Sequence, residues 1–484
     1  MPLSLIPSPT ILVPQLPPKT LVGIDLVTFT STPNFHGIRD LPSGWHFLYT
    51  GTTASFSLRC GAWFYVGNIG VFDSGSNQNN AGTIVRASAG SHGPDIYIWK
   101  WNSESETMEP LRADSEADRQ EAMRHKANLG TVAQRGGLFS YRSRVSSRMI
   151  QAQSEQQGPM QDEIDEEEEQ EGRKDWADLT KNITPKLFSR IRGDPELDVD
   201  NRPRWMVTTG SSAERDSDRI PGLEQNSEEL EQVTGEPESE FAFLPVDLKR
   251  TWREGAVGRE RTEAAQDRSW ALGDLVDRYS DNEGKEGGQS GEAQILGELQ
   301  FTFLMVLTLM NYSCLQQWKR LLELVLTCQN AIKTRESFMA SVLRLLLLQL
   351  KRCDDVEGGL FDIDGEEGGE FLRRLLMKFR RSLYEVVDNP GAAVKTEFDK
   401  LATWVKNEYD WELNREAIVR RGMVQLEDGE QVELEMNDED GDDETGEYAP
   451  IVVDLEEGTT AQDLDIEADD STQCTTTPLP HRSE

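Results

Sequence analysis

The pattern of hydrophobic and polar positions separates a strand-rich first part of the chain from a helix-rich later part. In the later part, apolar residues recur at a spacing of three or four, which places them on one face of an α-helix. One such face consists of Leu315, Trp318, Leu321, Leu322, Val325 and Leu326. The helices predicted in this way are Arg259–Tyr279, Glu292–Asn311, Ser313–Cys328, Glu336–Arg352, Glu370–Val387 and Ala392–Asn407. Together they indicate an all-α bundle of roughly 170 residues.

The helix predicted over 292–311 is apolar on nearly every side. Glu298, Gln300 and Thr302 interrupt it, so its unbroken apolar stretch is about ten residues, against roughly 20 for a helix that crosses a bilayer. An apolar helix of this length is typical of a protein core. The pattern therefore predicts a buried helix and no membrane span.

Residues up to about 102 alternate branched or aromatic residues with polar ones, as strands do. The predicted strands lie in Thr20–Thr30, Gly44–Tyr49, Ala62–Val66 and Asp95–Trp101. Further helices are predicted at Glu121–Leu129 and Leu138–Ile150. Short helices are also predicted in Trp176–Ile191, where Thr184 suits an N-cap before Pro185.

These elements predict an α+β chain: an N-terminal β-rich domain, an all-α helical domain and a disordered acidic tail. The first domain is predicted at 1–205 and the helical domain at 241–420, with a polar linker at 206–240. The acidic run Asp162–Glu171 (DEIDEEEEQE) is of low complexity, and the stretch 150–172 is predicted to be a disordered insertion. The tail, 421–484, contains one β-prone segment at 448–455.

The formal net charge is −37, and much of the excess lies at the end of the chain. Arg421–Glu484 holds 21 acidic and two basic residues. Such a chain repels phosphate backbones, and the sequence shows no basic stripe with interleaved aromatic residues. We therefore expect no direct binding of nucleic acid, and the charge favours basic protein partners.

The five cysteines, Cys60, Cys314, Cys328, Cys353 and Cys474, include no CxxC pair. An odd, scattered set is typical of a reducing compartment and argues against a disulfide framework or a zinc module. The first residues lack a positive charge before their apolar positions and are interrupted by prolines, unlike a signal peptide. We expect the protein in the cytoplasm and the nucleus.

The sequence lacks the GxGxxG, P-loop, GxSxG and HExxH signatures of nucleotide, hydrolase and protease sites. His46, inside the strand GWHFLY, is expected to be a packed or hydrogen-bonded imidazole. Asp25 is expected to be a lone carboxylate at a strand edge without an acid/base partner. The sequence thus predicts a binding protein that is not an enzyme and holds no metal or cofactor.

The segment Tyr448–Leu455 (YAPIVVDL) is a β-prone island in the acidic tail. Its residues are Tyr448, Ala449, Pro450, Ile451, Val452, Val453, Asp454 and Leu455. An isolated strand-former of this kind is a candidate for β-augmentation, in which it pairs with the edge of a partner's sheet. The segment alone leaves an alternative open, that it docks on its own domain or has no role.

Four groups of residues, in the same order along the chain, resemble a known family. The first combines GID at 23–25, FHG at 35–37 and LPSGWHFL at 41–48. The second, LGELQF at 296–301 with WKRLL at 318–322, is the most specific. The third is YDW at 409–411, and the fourth is APIVVDL at 449–455 followed by EEG. By these motifs the chain resembles the A1-cistron splicing factor family and is identified as a fungal member with acidic insertions.

The resemblance implies an assembly factor of the U5 small nuclear ribonucleoprotein (snRNP) in pre-mRNA splicing. Members bind the large U5 scaffold protein at its RNase-H-like and Jab/MPN domains and keep the U5 RNA helicase from joining early. It also implies a VHS-like helical domain, a monomer, and a tail strand, Tyr448–Leu455, laid between those two partner domains. Residues that it marks as structural are Gly23, Asp25, Gly44, His46, Gly297, Glu298, Trp318 and Trp411.

Two other classes of binding protein compete with this interpretation. An acidic histone chaperone has similar Asp/Glu-rich tails, and its affinity should collapse with salt because it depends on screened charge. A vesicle-cargo adaptor is favoured only by the VHS-like character of the bundle, and a fold does not determine a function.

Overall fold

The computed structural model divides into two units, 1–413 and 414–484. In the first unit the structure describes residues 8–51, 58–67, 95–143, 159–213, 216, 241–280, 290–353, 369–387, 389 and 391–413. In the second it describes the backbone of 420–425 and 431–436. Only the backbone is described for 159–166.

Eleven strands in the described part of the first unit form two sheets. The strands are β1 (Thr10–Leu12), β2 (Leu21–Ile24), β3 (Val27–Thr30), β4 (Gly37–Arg39), β5 (Gly44–Gly51), β6 (Arg59–Val66), β7 (Ile96–Asn102), β8 (Thr107–Pro110), β9 (Leu138–Ser140), β10 (Glu196–Leu197) and β11 (Pro203–Thr208). The six-stranded sheet has the order β10-β11-β6-β5-β2-β3 and is antiparallel throughout. The five-stranded sheet has the order β8-β7-β1-β4-β9, with β1 parallel to β7 and β4 parallel to β9.

The six-stranded sheet is buried on both faces. Because side chains alternate along a strand, β5 sends Trp45 and Phe47 into one core and Leu48 into another. The core that contains Leu48 lies between the two sheets and includes Phe64 and Trp99. The other core joins the sheet to the helices. Burial on both faces explains why GWHFLY is almost continuously apolar.

Among the residues described up to 213, three helices accompany the sheets: α1 (Glu116–Gln134), α2 (Pro159–Leu179) and α3 (Pro185–Arg192). The N-cap prediction for α3 is confirmed, since Thr184 Oγ1 accepts a hydrogen bond from the backbone N–H of Leu187 at 3.2 Å. The prediction of a helix from Leu138 is wrong in its described part. Leu138–Ser140 is a strand because it pairs with β4.

The acidic run Asp162–Glu171, predicted to be a disordered insertion, lies inside helix α2. Glutamate and glutamine favour helices, and an established helix extends at little cost. The helix is anchored farther along by the buried residues Trp176 and Leu179. Near the run itself, both carboxylate oxygens of Glu169 accept a hydrogen bond from the backbone N–H of Ser143 at 3.0 Å.

Eight helices follow in the described part of the first unit after residue 241. They are α4 (Arg259–Gln266), α5 (Ser269–Tyr279), α6 (Gly291–Leu309), α7 (Tyr312–Leu326), α8 (Ala331–Thr334), α9 (Glu336–Arg352), α10 (Glu370–Val386) and α11 (Ala393–Tyr409). The helical region is therefore as predicted, except that Arg259–Tyr279 is broken in two and that the short helix α8 was not predicted. Asp267 causes the break, because it leaves the helical conformation and accepts the backbone N–H groups of Ser269 and Gln329. Among the described helices, none combines the length and apolar character needed to cross a membrane.

Residues 206–213 and 216, in the beginning of the predicted linker, belong to the folded body. Strand β11 continues through residue 208 and so crosses the expected boundary at 205. Asp216 is fully buried, where it pairs with Arg320 and accepts a hydrogen bond from Ser313 Oγ at 2.9 Å. Residues 217–240 of this prediction lie outside the described residues.

The tail prediction also needs a correction. Strands β12 (Arg420–Gln425) and β13 (Gln431–Met436) pair antiparallel in the stretch that was expected to be disordered. Their sequence supplies the reason: QVELEM alternates polar and apolar residues, and Asp428-Gly429 is a hairpin-turn dipeptide. The acidic composition of the tail does not reveal this local alternation of polar and apolar residues.

Candidate functional site

The predicted partner-binding segment, Tyr448–Leu455, lies outside the described residues. The structure does describe the residues of the folded body that belong to the family motifs. They fall into two buried polar clusters and several close packing contacts.

The first cluster joins Asp25 to His46 and Tyr141. Asp25 ends β2 with a left-handed backbone (φ 56°), which turns its carboxylate towards strand β5. One carboxylate oxygen accepts the backbone N–H of Phe47 at 2.9 Å. The other accepts Tyr141 Oη at 2.6 Å and lies 2.8 Å from His46 Nδ1. The expectation that Asp25 has no acid/base partner is wrong.

Both ring nitrogens of His46 face acceptors. Nδ1 faces the Asp25 carboxylate, and Nε2 lies 2.9 Å from the backbone carbonyl of Pro42. Only the imidazolium form donates from both nitrogens. Burial by itself lowers the pKa of His46, but the Asp25 charge and these hydrogen bonds raise that pKa above its usual value. The cluster is thus a buried ion pair. The hydrogen-bond partners of its imidazole and its carboxylate all belong to the protein itself.

Tyr141 completes this cluster as a hydrogen-bond donor. Burial, followed by the charge of Asp25, raises the pKa of its hydroxyl far above the ordinary value. The hydroxyl therefore stays protonated and stabilises the carboxylate. Tyr141 directly follows the short strand β9, so the cluster connects the two sheets.

The second cluster surrounds Glu298, which is fully buried in α6. Arg190 of α3 places one guanidinium nitrogen 2.7 Å from Glu298 Oε2. The backbone N–H of Leu244 donates to Glu298 Oε1 at 3.0 Å, and Gln317 Nε2 of α7 donates to it at 2.7 Å. One carboxylate thus joins the N-terminal region, the segment after residue 241, and two helices of the bundle.

Four of the five residues of the GELQF motif form this junction, Glu298 among them. A Cβ on Gly297 would lie 2.6 Å from the backbone carbonyl oxygen of Asn182, so the helix can approach only with glycine there. Gln300 Oε1 accepts the backbone N–H of Asn182 at 2.8 Å. Phe301 packs edge-on against Phe188 of α3, with ring centroids 5.9 Å apart. The motif is therefore explained by contact between the two regions.

Two further sets of hydrogen bonds hold strands β5 and β11 in place, the first within the N-terminal region and the second between this region and the helical region. Trp45 Nε1 donates to the carbonyl of Ile183 at 2.9 Å, and Trp176 Nε1 donates to the carbonyl of Trp45 at 2.7 Å. At the N-terminus of α7, the side-chain amide of the N-cap residue Asn311 donates to the carbonyls of Thr208, Thr209 and Ser211. These bonds fix strands β5 and β11 against the helices.

The remaining motif residues pack locally. Trp318 is 3% exposed, as expected for a core position, and its Nε1 donates to Gln349 Oε1 at 3.1 Å. Trp411 lies over Gly369, where a Cβ would come within 2.4 Å of the ring. Gly23 lies under the Tyr49 ring in the same way, at 2.0 Å. Gly44 has a φ of 137°, which favours glycine.

No sequence pattern identifies several partners in these clusters, namely Tyr141, Arg190, Asn182, Gln317 and Gln349. Each comes from a distant part of the chain, so no local spacing marks it. Within the described residues, no group of three or more His, Cys, Asp or Glu side chains is placed to hold a metal ion. The two clusters stabilise the body of the protein.

Comparisons with known proteins match both regions of the body. The family model described as the AAR2 N-terminal domain matches residues 7–193, and the model described as the AAR2 C-terminal repeat region matches 243–414. The human protein AAR2 homolog is 21% identical over 418 residues, which cover 84% of this chain and 90% of the human protein. The mouse AAR2 homolog is 23% identical over 412 residues, with the same coverage. The AAR2 homolog of Caenorhabditis elegans is 25% identical over 121 residues, 25% of this chain and 32% of that protein.

Proposed function

The chain belongs to the AAR2 family, the family of U5 snRNP assembly factors that its motifs resemble, and from this premise we propose that it chaperones U5 assembly by binding the large U5 scaffold protein. It contacts that protein's RNase-H-like and Jab/MPN domains and keeps the U5 RNA helicase from joining early. It acts as a monomer without catalysis, in the cytoplasm and the nucleus. The main support is that both regions of the body match the family in order.

The body is suited to this role as a fixed support. The Glu298 cluster and the Trp45–Trp176 contacts hold the sheets and the helices in one folded unit. A support of this kind presents a partner with surfaces whose relative positions do not change. Binding then costs little conformational entropy in the body.

In the proposed complex, the tail segment Tyr448–Leu455 adds a strand to a sheet of the scaffold protein. The branched residues Ile451, Val452 and Val453 favour an extended backbone, whose N–H and C=O groups can pair with a sheet edge. The acidic residues around the segment act mainly by steering the two proteins together. The competing model, a charge-driven chaperone, predicts that the acidic residues provide most of the affinity and that the segment Tyr448–Leu455 provides little.

Calorimetric binding to the scaffold's RNase-H-like plus Jab/MPN fragment separates these models. Val452→Pro removes one backbone donor and disturbs the ladder, so we expect an affinity loss of about tenfold or more. Thr460→Pro, outside the segment, serves as the matched proline control and should bind like the parent. Neutralising the acidic residues of 438–444 should mainly slow association and change its salt dependence.

The reverse result would support the charge-driven model. That result is a Val452→Pro variant that binds like the parent, together with a neutralised tail that loses most of its affinity. Because the substitutions lie in the second unit, melting of the first unit checks that the body is unchanged.

A further inference from the structure

A groove beside helix α5 is lined by two tryptophans, Trp252 and Trp270. Its volume is about 330 Å³, near the lower end of the range for ligand-binding pockets. Three buried residues of the lining, Val246, Leu275 and Leu324, make its floor apolar. Trp270 is 43% exposed, although it is a large aromatic residue. An apolar floor with tryptophans beside it is typical of the centre of a protein interface.

Both tryptophans have a hydrogen-bond donor that the body of the protein does not use. Over the residues that the structure describes, neither indole N–H has an acceptor. The guanidinium of Arg261 lies 5.6 Å from the ring centroid of Trp252 and helps to fix that ring, but Arg261 does not line the groove. The two donors suit an occupant whose own carbonyl groups are not already hydrogen-bonded.

The backbone conformation that offers such carbonyl groups is the polyproline II helix. It has no internal hydrogen bonds, and proteins recognise it with grooves lined by aromatic residues. An α-helix bonds its own carbonyls except near its C-terminus, so it offers few acceptors. An added strand needs a sheet edge, whereas the lining residues lie in α5, α7 and the irregular segment 245–254.

The charged residues of the groove favour a basic residue on the occupant. Asp274 is neutralised by Arg278 on the same helix, at 2.5 Å. Asp247 and Arg250 carry opposite charges, which leaves the carboxylate of Glu254 in excess. Glu254 is exposed, and no described residue supplies it with a cation. An arginine or lysine of the occupant can therefore form a charge-assisted hydrogen bond with Glu254.

We propose that this groove is a docking site for a proline-rich segment of a partner protein that carries an arginine or lysine beside its prolines. The prolines pack against Trp252 and Trp270, the indole N–H groups donate to the carbonyls of the segment, and its basic side chain pairs with Glu254. Proline fixes the backbone of the segment before binding, which lowers the entropy cost. The proposal goes beyond the proposed function, because it assigns a second partner to a surface of the body.

The test measures binding of a short fluorescent peptide, Pro-Pro-Leu-Pro-Pro-Arg, to the full chain by fluorescence anisotropy. Trp270→Ala removes an exposed ring of the groove, and Trp270→Phe keeps a ring but removes the N–H donor. Tyr384→Ala is the matched control, because Tyr384 is 45% exposed on another helix, α10. Thermal melting checks that each variant is folded.

We expect Trp270→Ala to weaken peptide binding about tenfold or more, since tryptophans at the centre of an interface contribute most of its affinity. Trp270→Phe should weaken binding about threefold, as suits the loss of one hydrogen bond. Tyr384→Ala should stay within about twofold of the parent. Equal losses in Trp270→Ala and Tyr384→Ala, or no binding by the parent, would refute the site.

A second measurement tests the charge of the occupant. Glu254→Gln should weaken binding of the arginine peptide about threefold and should not affect a peptide in which glutamine replaces the arginine. Equal effects on the two peptides would contradict the pairing with Glu254 and so the basic residue in the proposal.

Two further results would assign the groove to another occupant. One is an amphipathic, leucine-rich helical peptide that binds more tightly than the proline peptide. The other is a concentration-dependent dimer that Trp270→Ala abolishes and Tyr384→Ala does not, which would identify a second copy of the chain. The U5 scaffold protein takes no part in these measurements, so their failure would leave the proposed function unaffected.

Discussion

Two buried carboxylates, Asp25 in the β-rich region and Glu298 in the helical region, are stabilised by the same kinds of group. Each accepts one backbone N–H, from Phe47 or Leu244. Each also accepts one neutral side-chain donor, Tyr141 or Gln317, and each faces one cation, His46 or Arg190. The two carboxylates differ in the residue that supplies the cation and in the parts of the protein that this cation connects.

The difference separates a local role from an architectural one. His46 lies on β5, which is the neighbour of β2, so the Asp25 cluster stabilises the β-rich region itself. Arg190 comes from α3 and meets Glu298 on α6, so that pair joins two regions. Arginine stays charged at every physiological pH, whereas histidine titrates near neutrality. The junction should therefore be insensitive to pH, and the β-rich region should not.

The largest effect is expected at the junction. Glu298→Ala leaves the Arg190 guanidinium, the Leu244 N–H and the Gln317 amide without their shared acceptor. Loss of one partner of a buried pair costs about 3–5 kcal/mol of unfolding free energy. Chemical denaturation of the purified chain measures this cost.

A matched control lies on the same helix. Glu292 is only partly buried and pairs with Arg335 at 2.6 Å, so Glu292→Ala should cost less than about 1 kcal/mol. If Glu298→Ala were as mild as Glu292→Ala, the junction would not depend on the buried pair.

The helices around Glu298 could be predicted from the sequence, but the residues that bind its carboxylate could not. The spacing of apolar residues places α6 and α7 within one or two residues, because periodicity is a local property. The same spacing marks Glu298 only as an interruption in an apolar helix. Its partners Arg190 and Leu244 lie far away in the chain, so the carboxylate's role becomes visible only in three dimensions.

The β-rich region shows a second limit of prediction from sequence, which concerns its short strands. The long strands β5 and β6 have clear patterns, whereas β1, β4 and β9 are three residues each. A three-residue strand has too little sequence to show alternation, and it exists because its neighbours offer hydrogen bonds. For this reason no sequence pattern marks Tyr141 as part of the Asp25 cluster, whereas Asp25 and His46 both lie in the family motifs.

An intermediate effect is expected from Tyr141→Phe. The change removes a buried 2.6 Å hydrogen bond to Asp25 and leaves the ring, so packing stays nearly constant. Hydrogen bonds to charged groups contribute about 1.5–3 kcal/mol, and denaturation should show a loss in this range. Tyr384→Phe, at an exposed hydroxyl 3.4 Å from Asp399, is the control and should be close to neutral. Equal results for the two variants would mean that Tyr141 does not support the carboxylate.

The smallest and most diagnostic effect is the pH dependence of the β-rich cluster. The pKa of His46 is raised in the folded protein above the value of about 6.5 expected in the unfolded chain. The folded state therefore binds the proton more tightly, and the stabilisation is fully present below about pH 6.5. It is lost as the pH rises through the folded-state pKa, because the neutral imidazole can donate from only one of its nitrogens.

Denaturation of the parent and of His46→Gln across this range isolates the contribution. The difference between their unfolding free energies should be largest below about pH 6.5 and should shrink at higher pH. Glu298→Ala, measured in the same series, should differ from the parent by a constant amount, since arginine side chains stay charged throughout the physiological pH range. Nuclear magnetic resonance titration of the His46 ring gives an independent check. A ring that titrates below about 6.5, or a His46→Gln difference that grows with pH, would show that the buried imidazole is neutral and that the two clusters do not differ as argued.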